Sequence, residues 1–170
     1  MASDEYDKVE LPALTQLQSL GWDYIEGAQL SPDESEERTY LTDVVLESRL
    51  KDAIKRINPW INETNLNQVV RPFIKIQEST LLEANKWVWE SLTQYISVEQ
   101  DLGKGKKGQT VKVIDFDNPE NNEFLCTNQF KISGVNQNII PDILLFVNGL
   151  PLVVIECKSP YITNPMESGI

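Results

Sequence analysis

The sequence predicts an α+β fold, a mixed β-sheet core flanked by helices, and three observations carry that expectation. Helical periodicity dominates residues 1–100, strand-like apolar runs dominate the remainder, and a Gly/Lys-rich turn, GKGKKGQ (103–109), separates them. Helices first and a mostly antiparallel sheet afterwards is the order of an α+β domain rather than of repeated βαβ units.

Each element has its own signal. Leu11, Leu14, Leu17 and Leu20 recur every three residues and mark a helix, which Gly21 ends in the left-handed position. WDYIEG (22–27) reads as a short strand. Thr42 or Asp43 is expected to cap a second helix, DVVLESRLKDAIKRI, that stops before Asn58-Pro59 because the residue preceding proline avoids helical dihedrals. A third helix covers roughly 63–75. A fourth, STLLEANKWVWESLTQYI (79–96), has Ser79 or Thr80 as its cap, with Glu83 placed to complete a capping box. Trp87 and Trp89 lie two apart on that helix and cannot share a face, so one is exposed or meets another domain. Beyond the turn come the strands TVKVIDF and FLCTNQFKIS, separated by the loop DNPENNE. ILLFV and LVVI follow, joined through Asn148-Gly149. Both of these last strands are apolar on both faces, as central strands covered on each side are.

With 170 residues, 41% of them hydrophobic, the chain can build one core, and it shows neither an internal repeat nor a long linker. One domain spanning 1–170 is expected. Cys126 and Cys157 are too few for a disulfide framework and sit in apolar runs, so reduced, packed thiols are expected. The N-terminus is acidic without an apolar leader, and no run approaches membrane-spanning length, so a cytoplasmic location and no membrane partner are expected. A net charge of −11 argues on its face against nucleic acid as a partner. The acid excess is uneven, however. Residues 1–100 carry 18 acidic against 9 basic side chains, and residues 101–170 carry 8 against 6. Much of it lies in SPDESEE (31–37), a solvated loop.

The informative stretch is PDILLFVNGLPLVVIECKSP (141–160), where Asp142, Glu156 and Lys158 stand at the ends of two apolar strands. Burying an unpaired charge is costly, so such groups usually have a partner, a metal or a function. Glu156 and Lys158 share a strand face by alternation. The face of Asp142 depends on the loop. A two-residue Asn148-Gly149 turn pairs Asp142 with Ile155 and sends it away from Glu156, whereas a three-residue connection pairs it with Glu156. If the three charges cooperate, the loop must be three residues long or a bulge must correct the register. Two carboxylates and a lysine at one strand edge suit a hard divalent cation such as Mg²⁺, with the backbone carbonyl of Cys157 as a further ligand. An E-x-K triplet by itself is more often a cross-strand ion pair. What raises its meaning is the setting, Pro-Asp opening one strand and Glu-x-Lys closing the next.

Pro141-Asp142 with Glu156-Cys157-Lys158 resembles the PD-(D/E)xK nuclease motif. VIDFDNPENNEFLCTNQF followed by the hairpin closely resembles the nuclease region of the restriction (R) subunit of type I restriction-modification enzymes, as do LLEANKWVWESLTQYISVE and VELPALTQLQSLGWDYIEG. The resemblance implies a restriction-endonuclease-like core and Mg²⁺-dependent cleavage of double-stranded DNA. It implies catalytic roles for Asp142, Glu156 and Lys158, and a helix glutamate, Glu10, joining the metal site. It also implies methyltransferase and specificity subunits as partners. The R subunit continues into an ATP-driven translocase, but these residues hold no G-x-x-x-x-G-K-[ST] loop, so ATP belongs to the full-length subunit. GKGKKG (103–108) has the wrong spacing and reads as an exposed turn whose Lys104, Lys106 and Lys107 could touch phosphates. The family's Gln-x-x-x-Tyr element does not follow Lys158 here, and the chain is expected to be the N-terminal fragment of a larger subunit. Two other readings compete with a cutting domain: a non-catalytic docking or scaffold domain of the same complex, and a motor-less DNA-repair nuclease.

Overall fold

The computed structural model describes residues 5–159 and 161. The chain is α+β, as expected, and divides into two compact units. One comprises residues 1–44, 124–147 and 151–170; the other comprises 45–123 and 148–150.

In the first unit a π-helical turn, Tyr6–Glu10, runs directly into helix α1, Leu11–Ser19. Strand β1, Asp23–Tyr24, follows and lies parallel to β4, Phe124–Asn128. β4 pairs antiparallel with β7, Ile143–Val147, with Cys126 opposite Leu145 and Asn128 opposite Ile143. β8, Leu150–Ile155, completes the order β1-β4-β7-β8. Leu14 packs on Cys126, Ile143, Leu145 and Cys157, with Val9, Ala13, Leu17 and Trp22 around them. Leu11 and Leu20 stay exposed. A three-residue step turns a helix by about 300°, so nine residues carry a side chain to the opposite side. Away from that cluster, Phe130 meets the Phe146 ring edge-on, and the Arg38 guanidinium lies over Phe130. Arg38 also donates to the carbonyls of Leu41, Asp43 and Lys131. β5, Ile132–Ser133, and β6, Asn138–Ile139, form a small separate hairpin.

The second unit holds α2, Glu47–Ile57, α3, Glu63–Ile74, and α4, Leu81–Thr93. It also holds the antiparallel ribbon of β2, Ile96–Asp101, and β3, Lys106–Val111. Leu50, Ala53 and Ile54 on α2 and Leu66, Val69, Val70 and Phe73 on α3 are buried. The Thr80 hydroxyl accepts from Glu83 N–H, and the Glu83 carboxylate accepts from Thr80 and Ser79, so the expected cap forms. Trp87 packs on Phe73, and Trp89 is exposed.

Several boundaries differ from expectation for identifiable reasons. Asp43 does not cap α2. Its carboxylate accepts from the backbone N–H of Thr39 and Tyr40, closing a turn, and the helix starts at Glu47. The strand expected at 110–116 ends at Val111, because the Asn58 side chain takes both the N–H and the carbonyl of Lys112. FLCTNQFKIS breaks at Gln129, which adopts φ 51. The Asn148-Gly149 connection is the two-residue turn, with φ 53 and 77, not the three-residue loop. Of the two strands expected to be covered on both faces, β7 is buried and β8 is not. Leu152, Val153 and Val154 of β8 are 40%, 46% and 59% exposed, and β8 is one of the two sheet edges among the described residues, β1 being the other. No helix among the described residues is long and apolar enough to cross a membrane.

Candidate active site

The expected site residues gather where β7 begins and β8 ends, around Cys157. Its backbone N–H donates to Oδ2 of Asp142 at 2.7 Å. Its carbonyl accepts from Nζ of Lys158 at 2.9 Å, and the same ammonium stands 3.9 Å from Oε2 of Glu156. The two-residue turn alone would leave Asp142 opposite Ile155. Its carboxylate instead reaches along the strand end to the residue between Glu156 and Lys158. The Cys157 side chain points into the core beside Leu14 and Ile143, while the Glu156 and Lys158 side chains keep 49% and 26% of their surface in solvent.

Glu10 is the last residue of the π-helical turn and is buried to 4% exposure. Its Oε1 accepts from Nδ2 of Asn128 at 2.8 Å and its Oε2 from Nε2 of Gln129 at 3.4 Å. The Tyr24 hydroxyl donates to Oδ1 of the same Asn128 at 2.8 Å. Gln129 also donates its backbone N–H to the carbonyl of Asp142 at 3.2 Å, so one residue touches both acids. Glu5, one helical turn earlier, accepts the backbone N–H of Ser159. Asn128, Gln129, Tyr24 and Glu5 were not singled out in the sequence. The only available signal was Asn-Gln closing an otherwise apolar strand.

Burial dominates the electrostatics of the site. Burial pushes the Cys157 thiol up to about 11, and the charges of Asp142, Glu10, Glu5 and Glu156 act in the same direction. Burial likewise raises Tyr24 to about 12, with Tyr6, Glu26 and Glu10 adding to it. A thiol so raised stays protonated at neutral pH and is a packed group, not a nucleophile. Both cysteines are free and buried, as expected.

In donor chemistry the residues suit a hard cation: carboxylates and a carbonyl, with neutral amides rather than cations bonded to Glu10. They are not closed up as a cage. No group of three or more His, Cys, Asp or Glu side chains among the described residues is arranged to hold a metal ion. The Cys157 carbonyl accepts from Lys158 and keeps a second lone pair for a ligand.

Elsewhere, Lys104, Lys106 and Lys107 are exposed on the β2–β3 ribbon, whose turn is closed by Asp101 Oδ1 accepting from Gly103 and Gly105. The DNPENN loop is a tight turn around Asp115.

A mixed sheet with acids and a lysine at the ends of adjacent strands, in a chain of helices and strands, defines an α+β protein. The chain matches the family described as "Type I restriction enzyme R protein N terminus" over residues 3–170, and it belongs to that family. It is 36% identical over 155 residues to the Methanocaldococcus jannaschii protein named "Putative type I restriction enzyme MjaIXP endonuclease subunit". It is also 36% identical over 154 residues to the type I restriction enzyme HindI endonuclease subunit of Haemophilus influenzae. Each match takes in 89% of this chain but 15% of the relative, so the chain spans a small part of the proteins it resembles.

Proposed function

We propose that this chain is the DNA-cutting domain of a type I restriction endonuclease subunit, with a PD-(D/E)xK-type core and a site for Mg²⁺. The observation that carries the reading is the meeting of Asp142 and Lys158 on the N–H and carbonyl of one residue, Cys157, with Glu156 beside the lysine. Asp142, Glu156 and the Cys157 carbonyl would hold the cation, and Glu10 would join them from the N-terminal helix. The bound cation supplies polarisation of a phosphoryl oxygen and a lower pKa for attached water. The protein's part is placement. Cys157 N–H fixes one oxygen of Asp142 and leaves the carboxylate's remaining lone pairs for a ligand. Lys158, about a quarter exposed at the strand end, supplies positive charge where a phosphate would accumulate negative charge.

In the whole subunit, double-stranded DNA is the substrate, an ATP-driven motor in the remainder delivers it, and methyltransferase and specificity subunits choose the sequence. A net charge of −11 accords with DNA that is delivered rather than captured by this part alone. The test is cleavage of DNA bearing the recognition site by the full-length subunit assembled with its partners, with ATP turnover measured in parallel. Glu156→Ala and Lys158→Ala should cut at least about 100-fold more slowly and turn over ATP normally. Normal cutting by Glu156→Ala refutes the mechanism, and joint loss of cutting and ATP turnover points to the scaffold role.

A further inference from the structure

We propose that Asn128 and Gln129 are positioning residues for the Glu10 carboxylate, and that the Tyr24 hydroxyl braces the Asn128 amide from its oxygen end. The inference rests on the nuclease reading and adds residues to that same site. Glu10 is buried, yet the groups bonded to its carboxylate are two neutral side-chain amides, at 2.8 Å and 3.4 Å. An ammonium or guanidinium there would cancel the charge and occupy the lone pairs a cation needs. Amide N–H groups orient the carboxylate and leave its charge and part of its coordination capacity intact.

The amide of Asn128 has two ends of similar shape, and only its nitrogen end can donate to Glu10. A reversed amide would set its oxygen against the carboxylate. The acceptor-only Glu10 carboxylate therefore selects the orientation, and Tyr24 braces the other end by donating its O–H to Oδ1 at 2.8 Å. Asn128 is itself buried to 5% exposure, so no water competes freely for that choice. Gln129 links this arrangement to the other acid, donating its side chain to Glu10 and its backbone N–H to the Asp142 carbonyl. Its left-handed φ of 51 ends β4 at the point where both bonds are made.

The test uses the full-length subunit assembled with its partners, as wild type, Asn128→Ala, Tyr24→Phe, Gln129→Ala and Asp142→Ala. Cutting is measured against free Mg²⁺ at constant MgATP, and Mn²⁺ binding without nucleotide is counted by electron paramagnetic resonance. Partners behind a metal ligand are worth about 10- to 100-fold in metal affinity. Asn128→Ala should therefore raise the Mg²⁺ needed for half-maximal cutting by about ten-fold or more, and Tyr24→Phe by about three-fold. Excess Mg²⁺ should restore cutting, ATP turnover should be unchanged, and the Mn²⁺ site lost in Asp142→Ala should be the one weakened. Packing damage alone would not be rescued by cation. If Asn128→Ala fails to fold, Tyr24→Phe, which removes one hydroxyl, decides the matter. An inactive Asp142→Ala beside Asn128 and Tyr24 variants with an unchanged cation requirement overturns this inference and leaves the nuclease reading standing. Normal cutting by Asp142→Ala overturns both.

Discussion

Cys157 donates its backbone N–H to Oδ2 of Asp142 at 2.7 Å, across fifteen residues of sequence. Asp142 therefore ties the end of one strand to the end of the next, besides being a candidate ligand. A hydrogen bond to a charged group contributes about 1.5–3 kcal/mol, less where solvent reaches it. Asp142→Asn keeps an acceptor for that N–H and loses the charge. It should cut at least about 100-fold more slowly, with a stability change below about 1 kcal/mol. Asp142→Ala should lose both cutting and about 1–3 kcal/mol. Cleavage assays paired with denaturant titrations of the two variants separate the roles, and equal instability in both would contradict the assignment.

The turn residue Asn148 is fully buried and satisfied at both side-chain polar atoms. Its Oδ1 accepts from Glu123 N–H, and its Nδ2 donates to the Val113 carbonyl and to Asn122 Oδ1. Its φ of 53 is also one that asparagine tolerates better than most residues. Asn148→Ala strands the buried Val113 carbonyl, leaves the half-buried Glu123 N–H without its acceptor and strains the turn, so a loss of about 3 kcal/mol is expected, read from the denaturation midpoint. Gly149→Ala should be at least as severe. Besides φ 77, its new methyl would stand 2.5 Å from the Leu46 carbonyl oxygen and 3.0 Å from Leu50 N.

What was legible in the sequence was local. Thr80 and Glu83 are three residues apart, and the cap they form needs nothing distant. Asn148-Gly149 marks a turn in the same way, but the length of the connection, two residues, was left open by the sequence. What was not legible depends on partners far along the chain. Asp43 looks like a cap until Thr39 and Tyr40 offer it their N–H groups. Lys112 looks like strand until Asn58, 54 residues earlier, takes its backbone. Leu152, Val153 and Val154 show their apolarity but not which neighbour covers them. In the candidate site, Asp142, Glu156 and Lys158 stand out because charge is rare in apolar strands. Asn128 and Gln129 have no such contrast, and their connection to Glu10 spans 118 and 119 residues.

Asp115 gives a pH prediction away from the candidate site. The Asn121 amide first, then Lys112 and the backbone of Asn118, hold its carboxyl at about 2, below the usual carboxylate range. A depressed folded-state value contributes stability at pH above the unfolded carboxylate, near 4. That contribution disappears as pH falls from about 4 to about 2. Asp115→Asn should be less stable at neutral pH and should lose less stability than wild type across that acid window. Acid titrations followed by circular dichroism give the comparison, and parallel curves would remove Asp115 from the account.

The last prediction concerns the support behind Asn128 and Gln129. Gly27 opens the short 3₁₀ turn Gly27–Leu30 and is buried. Its φ is not unusual, so any residue could adopt its backbone; the constraint is space. A methyl group there would collide with the carbonyl oxygen of Asn128 and stand 2.8 Å from both the carbonyl carbon and the oxygen of Gln129. All three are backbone atoms, which cannot rotate aside as a side chain can. Gly27→Ala must therefore displace the end of β4 or the 3₁₀ turn, an overpacking cost of about 1–3 kcal/mol. The displaced residues are the two that hold Glu10, so the variant should also show the raised Mg²⁺ requirement expected of Asn128→Ala. Measuring the denaturation midpoint of Gly27→Ala together with its Mg²⁺ dependence of cutting tests both consequences. Lost stability with an unchanged cation requirement would mean that the turn yields and the donors to Glu10 stay in place.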